Sequence, residues 1–523
     1  MRLWRKGCGL FPPRANALVL QKAYMRNIRD SAMKLLQIAL LVAMFSRPLL
    51  SQGKISYDDY FTGDAMRIDL YIVADAKEEI ITLDRVHREG RWPGNPENLI
   101  EPLNYGRYGI KVYDIASNVL ICSHGFDAMV GEYRTTTPAL NGTKRTFERS
   151  VRIPFAKRPI LLVIEERDKQ NVLRPLHSVT VDPAGVSVVK ETVISEGTVV
   201  EVLKSGESRR KVDLAFLSEG YTRGDSAKFI ADVHRFTDLL FGVEPYKSRK
   251  GSFNVVGVFH PSAEDGMDEP RQGVFKKTLF NSSFNTFGVD RYLLTEENKL
   301  LREIAAQVPY DALVILVNSK RYGGGGIYHD YCISTVDNTL SGKVFVHEFG
   351  HSFAGLGDEY YTSDVAYNDL YPKGVEPLEP NITALLDTAR IKWGALLSPG
   401  IDVPTNHGKG QLDSLQEERR KNGGEMRKVT ESARRTKASD SDLKAIGHKY
   451  REKEKEIDRR IEAVRARYAH VKGKVGVFEG AGYSSKGLYR PMVECLMFSN
   501  SGEEFCRVCR NAIETMIDLH CGK

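Results

Sequence analysis

In the stretch HEFGHSFAGLGDEYY, residues 347–361, two histidines stand four apart and a glutamate follows the first. On a helix, positions i and i+4 share a face about one turn apart, so His347 and His351 can offer two imidazole nitrogens to one metal ion. Glu348 sits beside the first imidazole, where a carboxylate can take a proton from a water on that ion and return it to a leaving group. This is the chemistry of zinc-dependent hydrolysis with one part missing. A catalytic zinc uses three protein ligands and keeps a fourth position open.

The third ligand has to come from the residues after the helix. In the arrangement HExxHxxGxxH, a glycine lets the chain leave the helix and turn back, and a side chain three residues later meets the metal. Gly355 falls one residue later than that spacing requires, and Gly357 stands where the third histidine belongs. Asp358 comes three after Gly355, so GLGD reads as the same reversal lengthened by one residue, with a carboxylate in place of imidazole. Glu359 is the rival ligand, and a loop-capping role for Asp358 is the reading without a metal. The shorter aspartate suits a backbone that has already come back toward the helix. Adjacent residues point in different directions, so the two carboxylates are not expected to share one ion. Val344, Phe345, Phe349 and Phe353 give the same helix an apolar face for a core.

The rest of the chain must hold this helix. Met66–Ala74, Tyr108–Ile115, Arg145–Phe155, Pro159–Asp168 and His177–Pro183 alternate or run apolar between Gly, Pro and Asn, which predicts a β-sandwich over residues 52–190 that serves as an accessory module. From residue 195 to 523 the pattern becomes α/β. Val212–Tyr221, FNVVGVFH and Tyr310–Ser319 read as buried strands. Phe229, Val233, Phe236, Leu239 and Leu240 mark a helix that Asp225 or Ser226 opens. RYGGGGIYHDYCIST reads as a glycine loop followed by an edge strand near Tyr328–Thr335, which an extended peptide can extend. It is not a phosphate loop, because no GK[ST] follows. Residues 409–474 carry 20 Lys/Arg against 12 Asp/Glu. They read as an inserted, solvated helical hairpin divided at Gly423-Gly424, with a seam at Ile457, Ile461, Val464, Tyr468 and Val471.

The formal charge of +7 is concentrated at the start: residues 1–51 hold nine basic residues and one acid, Asp30. With that segment removed the chain is close to neutral, which argues against a nucleic-acid binder. Within it, positive charge, a short apolar run (Leu35–Phe45) and a small residue, Ser51, follow one another as in a signal peptide. Residues 1–51 are therefore expected to be a cleaved leader, and the mature chain to have no integral membrane span. Cys495, Cys506, Cys509 and Cys521 cluster near the C-terminus. In an exported protein they suit disulfides, and a structural zinc site at CRVC is the rival reading.

HEFGHSFAGLGDEY resembles the signature HExxHxxxGLxDEY of the IgA-peptidase-type family of bacterial zinc metallopeptidases. YDALVILVN with YGGGG, FEGAGYSSKGLYRP, CLM and FCRVC resemble supporting blocks of that family over roughly residues 55–523; Arg507 departs from an expected proline. The resemblance implies an α+β fold, a β-sandwich ahead of a zincin or metzincin-like catalytic domain. It implies one catalytic zinc held by His347, His351 and Asp358, with Glu348 as acid/base and Met497 as the methionine turn beneath the metal. Tyr483 and Tyr489, with Tyr360, are candidates to stabilise the oxyanion of a peptide bond under attack. The expected function is a zinc endopeptidase acting on extracellular proteins and exported to the periplasm, cell surface or medium. The competing reading, from another class, is a catalytically silent surface binding protein on a zincin scaffold, which would have no need of Glu348.

Overall fold

The computed structural model describes residues 55–190, 197–362, 370–499 and 502–522. The leader expected at residues 1–51 lies outside the described residues.

The first strands are β1 (Phe61–Ala74), β2 (Glu79–Arg91), β3 (Tyr108–Asp114), β4 (Val119–Phe126), β5 (Arg145–Ala156), β6 (Ile160–Arg167), β7 (Leu173–Val181) and β8 (Val188–Val189). They form two four-stranded sheets, ordered β5-β1-β2-β8 and β4-β3-β6-β7. All the pairings are antiparallel except that of β2 with β8. Met66, Ile68, Leu70 and Ile72 of β1 alternate into the interior. Contacts join the two sheets: the Tyr108 hydroxyl donates to Glu79 at 3.2 Å, and the Arg149 guanidinium lies over the Phe126 ring at 4.8 Å.

The other face of β1 is buried too, although it is polar. Arg67 and Asp69 are 3% and 2% exposed. Arg67 pairs with Asp69 and Glu89, and the Ser150 hydroxyl donates to Asp69. Burying charge is tolerable only where each group has a partner. That polar face sits against the following segment, where Arg152 covers the Tyr310 ring at 3.8 Å and Asn298 accepts from the Ser150 N–H.

The later strands are β9 (Thr198–Leu203), β10 (Val212–Glu219), β11 (Phe253–Phe259), β12 (Ala312–Val317), β13 (Gly324–Ile327), β14 (Tyr331–Thr335), β15 (Phe478–Ala481) and β16 (Ser484–Arg490). The first six make one sheet, ordered β13-β14-β12-β10-β11-β9. Its four inner strands run parallel, while β13 and β9 are antiparallel edges. β10 is buried along its whole length, as a strand covered on both faces must be. The glycine run is thus itself the edge strand, and Tyr331–Thr335 lies one place inside it, which corrects the expected position. β15 and β16 form a separate hairpin.

The longer helices are α1 (Ser226–Leu240), α2 (Asn298–Ala305), α3 (Ser341–Ala354), α4 (Lys409–Arg435), α5 (Asp440–Arg467) and α6 (Arg507–Cys521). α3 carries the two histidines. Phe345, Phe349 and Phe353 seat it in an aromatic core with Phe216, Phe236, Tyr246 and Phe253, for example at 5.2 Å between the Phe236 and Phe345 centroids. Phe345 is fully buried, so Phe345→Ala would cost on the order of 3–5 kcal/mol.

α4 and α5 pack as a hairpin through Leu415, Ile457, Ile461 and Val464, with Arg419–Glu454 and Arg460–Glu418 ion pairs across its surface. The helix runs straight through Gly423-Gly424. The turn comes instead where Lys437 takes a positive φ and Ser439 forms a capping box with Asp442. Two helical glycines cost about 1 kcal/mol each relative to alanine, which does not outweigh the seam. Among the described residues no helix is long and apolar enough to cross a membrane, and no disulfide forms.

Candidate active site

α3 ends at Gly355, whose φ of +62° is the left-handed conformation that glycine adopts without strain. Its N–H donates to the His351 carbonyl at 3.0 Å. The chain then doubles back under the helix and brings Asp358 to both imidazoles. Asp358 Oδ1 lies 2.9 Å from His347 Nε2 and 3.3 Å from His351 Nε2, and the two Nε2 atoms are 3.1 Å apart.

The other ring nitrogens are fixed from behind. His347 Nδ1 meets the Leu496 carbonyl at 3.1 Å, and His351 Nδ1 the Leu356 carbonyl at 2.5 Å. A carbonyl only accepts, so each Nδ1 is the donor, and in a neutral ring Nε2 then keeps its lone pair. Two such lone pairs and a carboxylate oxygen converge on one point, and Asp358 Oδ1 is buried with no hydrogen-bond donor. Ligands about 2.1 Å from a tetrahedral ion stand roughly 3.4 Å apart. The triangle fits a small divalent cation.

Protons take that place in the pKa balance of these side chains. Burial depresses both imidazoles, but the Asp358 carboxylate outweighs it, lifting His347 above its ordinary range and His351 to about 10. Burial raises Asp358, and the two imidazoles more than reverse this, holding it well below the usual carboxylate range. Glu348 is raised by burial despite the two imidazoles. Its carboxylate and the two histidine nitrogens lie within 4.8 Å of one another.

Glu348, His351 and Asp358 open into a cleft of about 830 Å³. Gly324, Gly325 and Gly326 of β13 form one side, and here the glycine run finds its reason. A Cβ on Gly326 would lie 2.2 Å from the Glu348 carbonyl, and one on Gly324 2.6 Å from Val344. At these two positions the edge strand rests on α3 too closely to carry a side chain.

Met497 lies directly beneath the histidine helix. It is fully buried, and a Cβ on Gly350 would approach its sulfur at 3.2 Å. The Met497 carbonyl accepts the Glu359 N–H at 2.9 Å, which ties the loop after the helix to this turn. The Tyr483 hydroxyl donates to Asp358 Oδ2, and Tyr360 packs on Tyr483 with centroids 5.3 Å apart. Tyr489, on β16, does not join them: its backbone pairs with that of Thr383, and it is not among the residues that line the cleft. Glu359 points away from the histidines, toward Cys509 at 3.2 Å.

Sequence reasoning missed two features. Arg291 lines the cleft and its charge acts on Tyr360, Asp358 and Glu348. It lies in an irregular loop, with no periodicity to single it out. The sandwich also supplies a wall, through Tyr105, Arg107, Asp127, Glu132 and Arg167. Burial and the neighbouring Asp127 carboxylate push Glu132 up to about 7.

A family model described as IgA Peptidase M64 matches residues 200–517, and one described as Peptidase M64 N-terminus matches residues 56–178. No curated protein matches the chain. With the first model covering more than half of its length, the chain belongs to the IgA Peptidase M64 family, a peptidase with that family's N-terminal region ahead of the histidine helix.

Proposed function

We propose that the chain is an exported zinc-dependent endopeptidase in which His347, His351 and Asp358 hold the metal and Glu348 moves the proton. The observation that carries this reading is the convergence of two imidazole lone pairs and an unpartnered carboxylate oxygen at one point beside Glu348. A zinc ion bound there would acidify a water and polarise the scissile carbonyl. Glu348, raised by burial, accepts the proton from the attacking water and delivers it to the departing amine. Tyr483 and Tyr360 flank Asp358 at the cleft and can donate to the developing oxyanion. β13 offers backbone groups to an extended peptide, and the sandwich wall limits what lies beyond it.

Glu348 in place beside both histidines supports an active enzyme over a silent binding scaffold. Incubating the zinc-loaded chain with casein and with immunoglobulin tests it: new internal cleavages lost on chelation and in Glu348→Ala are expected. A chain with metal bound that cleaves nothing, peptide libraries included, would overturn the reading.

A further inference from the structure

Beneath the histidine site lies a second buried cluster that peptide hydrolysis does not use. Glu359, Cys495, Cys506 and Cys509 bring a carboxylate and three sulfurs within 4.8 Å of one another. All four residues are buried, at 0%, 2%, 4% and 0% exposure. We propose that they hold a structural zinc ion, distinct from the one at His347 and His351.

The geometry points the same way at each ligand. Around a tetrahedral zinc with sulfur at about 2.3 Å, sulfurs stand roughly 3.8 Å apart. Cys495 Sγ and Cys509 Sγ are 3.8 Å apart. Glu359 Oε1 lies 3.2 Å from Cys509 Sγ and 3.8 Å from Cys506 Sγ. Asn381 steadies Oε1 at 3.1 Å, while Oε2 is buried with no partner. Cys495 Sγ accepts two backbone N–H groups, from Cys506 at 3.2 Å and Met497 at 3.4 Å, as suits a sulfur carrying negative charge. Cys506 and Cys509 form a C-x₂-C pair that opens α6, a spacing that turns two sulfurs toward one ion.

Charge also favours an ion. Three thiolates and a carboxylate buried together are untenable alone. A divalent cation removes half of that charge, and the buried guanidinium of Arg490, which acts on Glu359 and Cys495, offsets more. Disulfide bonding would leave the set unbalanced: three cysteines can form one bridge, and the third thiol and Glu359 would stay buried beside it.

The position gives the ion a role. Glu359 directly follows Asp358. Cys495 directly precedes Leu496, whose carbonyl orients His347, and stands two residues before Met497. The proposed ion would pin both segments that position the histidine site and fasten them to α6. These are positioning residues, because none of them lines the cleft.

The test is zinc content and ligand identity in the full chain purified without chelator. Mass spectrometry of metal content should give two zinc ions per chain in the wild type. His347→Ala/His351→Ala should keep one, with a sulfur shell near ~2.3 Å in its X-ray absorption spectrum. Cys506→Ser and Glu359→Ala should each lose one. If Cys506→Ser does not fold, the histidine variant and the wild-type spectrum still decide. A single zinc with a sulfur shell that persists in the histidine variant would support this centre and count against the histidine site. Zinc without sulfur ligands in the wild type, or a disulfide among the three cysteines found by alkylation under denaturing conditions without reductant, would overturn the proposal.

Discussion

Asp358 and Glu359 are neighbours in the chain and belong to different polar clusters: Asp358 Oδ1 stands 2.9 Å from His347 Nε2, while Glu359 Oε1 stands 3.2 Å from Cys509 Sγ. One backbone step separates the two directions. Asp358→Ala should therefore lose one equivalent of zinc and all measurable peptidase activity, while the sulfur-bound equivalent stays. Metal content and turnover on the same preparation check it. A variant that keeps its full zinc complement and its activity would exclude Asp358 as a ligand.

Glu348→Ala should keep its metal and lose hydrolysis, by at least about 10²–10⁴-fold, the usual contribution of a positioned acid/base group. In the proposed site the metal is held by His347, His351 and Asp358, so removing the Glu348 carboxylate takes away the proton carrier and leaves those three groups in place. Near-wild-type turnover in a metal-loaded Glu348→Ala preparation would refute the assignment.

Tyr483→Phe separates two roles for one hydroxyl. The hydroxyl hydrogen-bonds Asp358 Oδ2. If it also serves the oxyanion, kcat should fall about 10–100-fold with KM little changed and zinc affinity nearly intact. A loss of zinc affinity that accounts for the whole effect would leave it only a support for the carboxylate.

Glu79 predicts part of the pH dependence of stability. Its side chain is 1% exposed, and it shares the Arg134 guanidinium with Glu166. Burial, with the nearby Glu166, raises it from 4.5 to about 7 against the pull of Arg134. A carboxylate raised on folding is protonated in the native state and ionised in the unfolded one across that window. Its contribution is present in full at low pH and is lost as pH rises from about 4.5 to about 7, by at most about 1.4 kcal/mol per unit. Glu79→Gln should flatten the fall in melting temperature over this range, and an unchanged slope would contradict the assignment.

Deleting residues 412–470 with a short linker should leave hydrolysis of short peptides within a few-fold and change activity on large proteins. The apolar seam of α4 and α5 is satisfied within the hairpin itself. A deletion chain that is soluble but inactive on short peptides would assign the hairpin to the catalytic framework.

What the sequence made legible follows the range of the interactions. The histidine helix, its glycine exit and the runs that became β1, β6, β10 and β12 are local patterns, visible as spacing and apolar continuity. β2 was not legible: EIITLDRVHREGR is crowded with charge, because part of it faces the polar seam where Glu89 meets Arg67 and Arg152. β13 looked like a loop, since glycine has low strand propensity and the need for it comes from α3, some twenty residues on. Tyr489 shares a hairpin with Tyr483, and only the fold tells which of the two reaches Asp358. The sulfur cluster needs Glu359 next to residues far downstream in the chain, and no local spacing announces that.

The glycine run over the histidine helix makes the two walls of the cleft unequal in their freedom to change. A single methyl on Gly326 would collide with the backbone of Glu348, so that wall can drift in neither size nor chemistry. Across the cleft, Tyr105 and Arg107 on the sandwich are only partly buried, whereas Arg167 is held by the Gly106, Asn104 and Asn171 carbonyls. Adaptation to a new substrate, by natural divergence or by a protein engineer, is thereby steered to the partly exposed positions of the opposite wall.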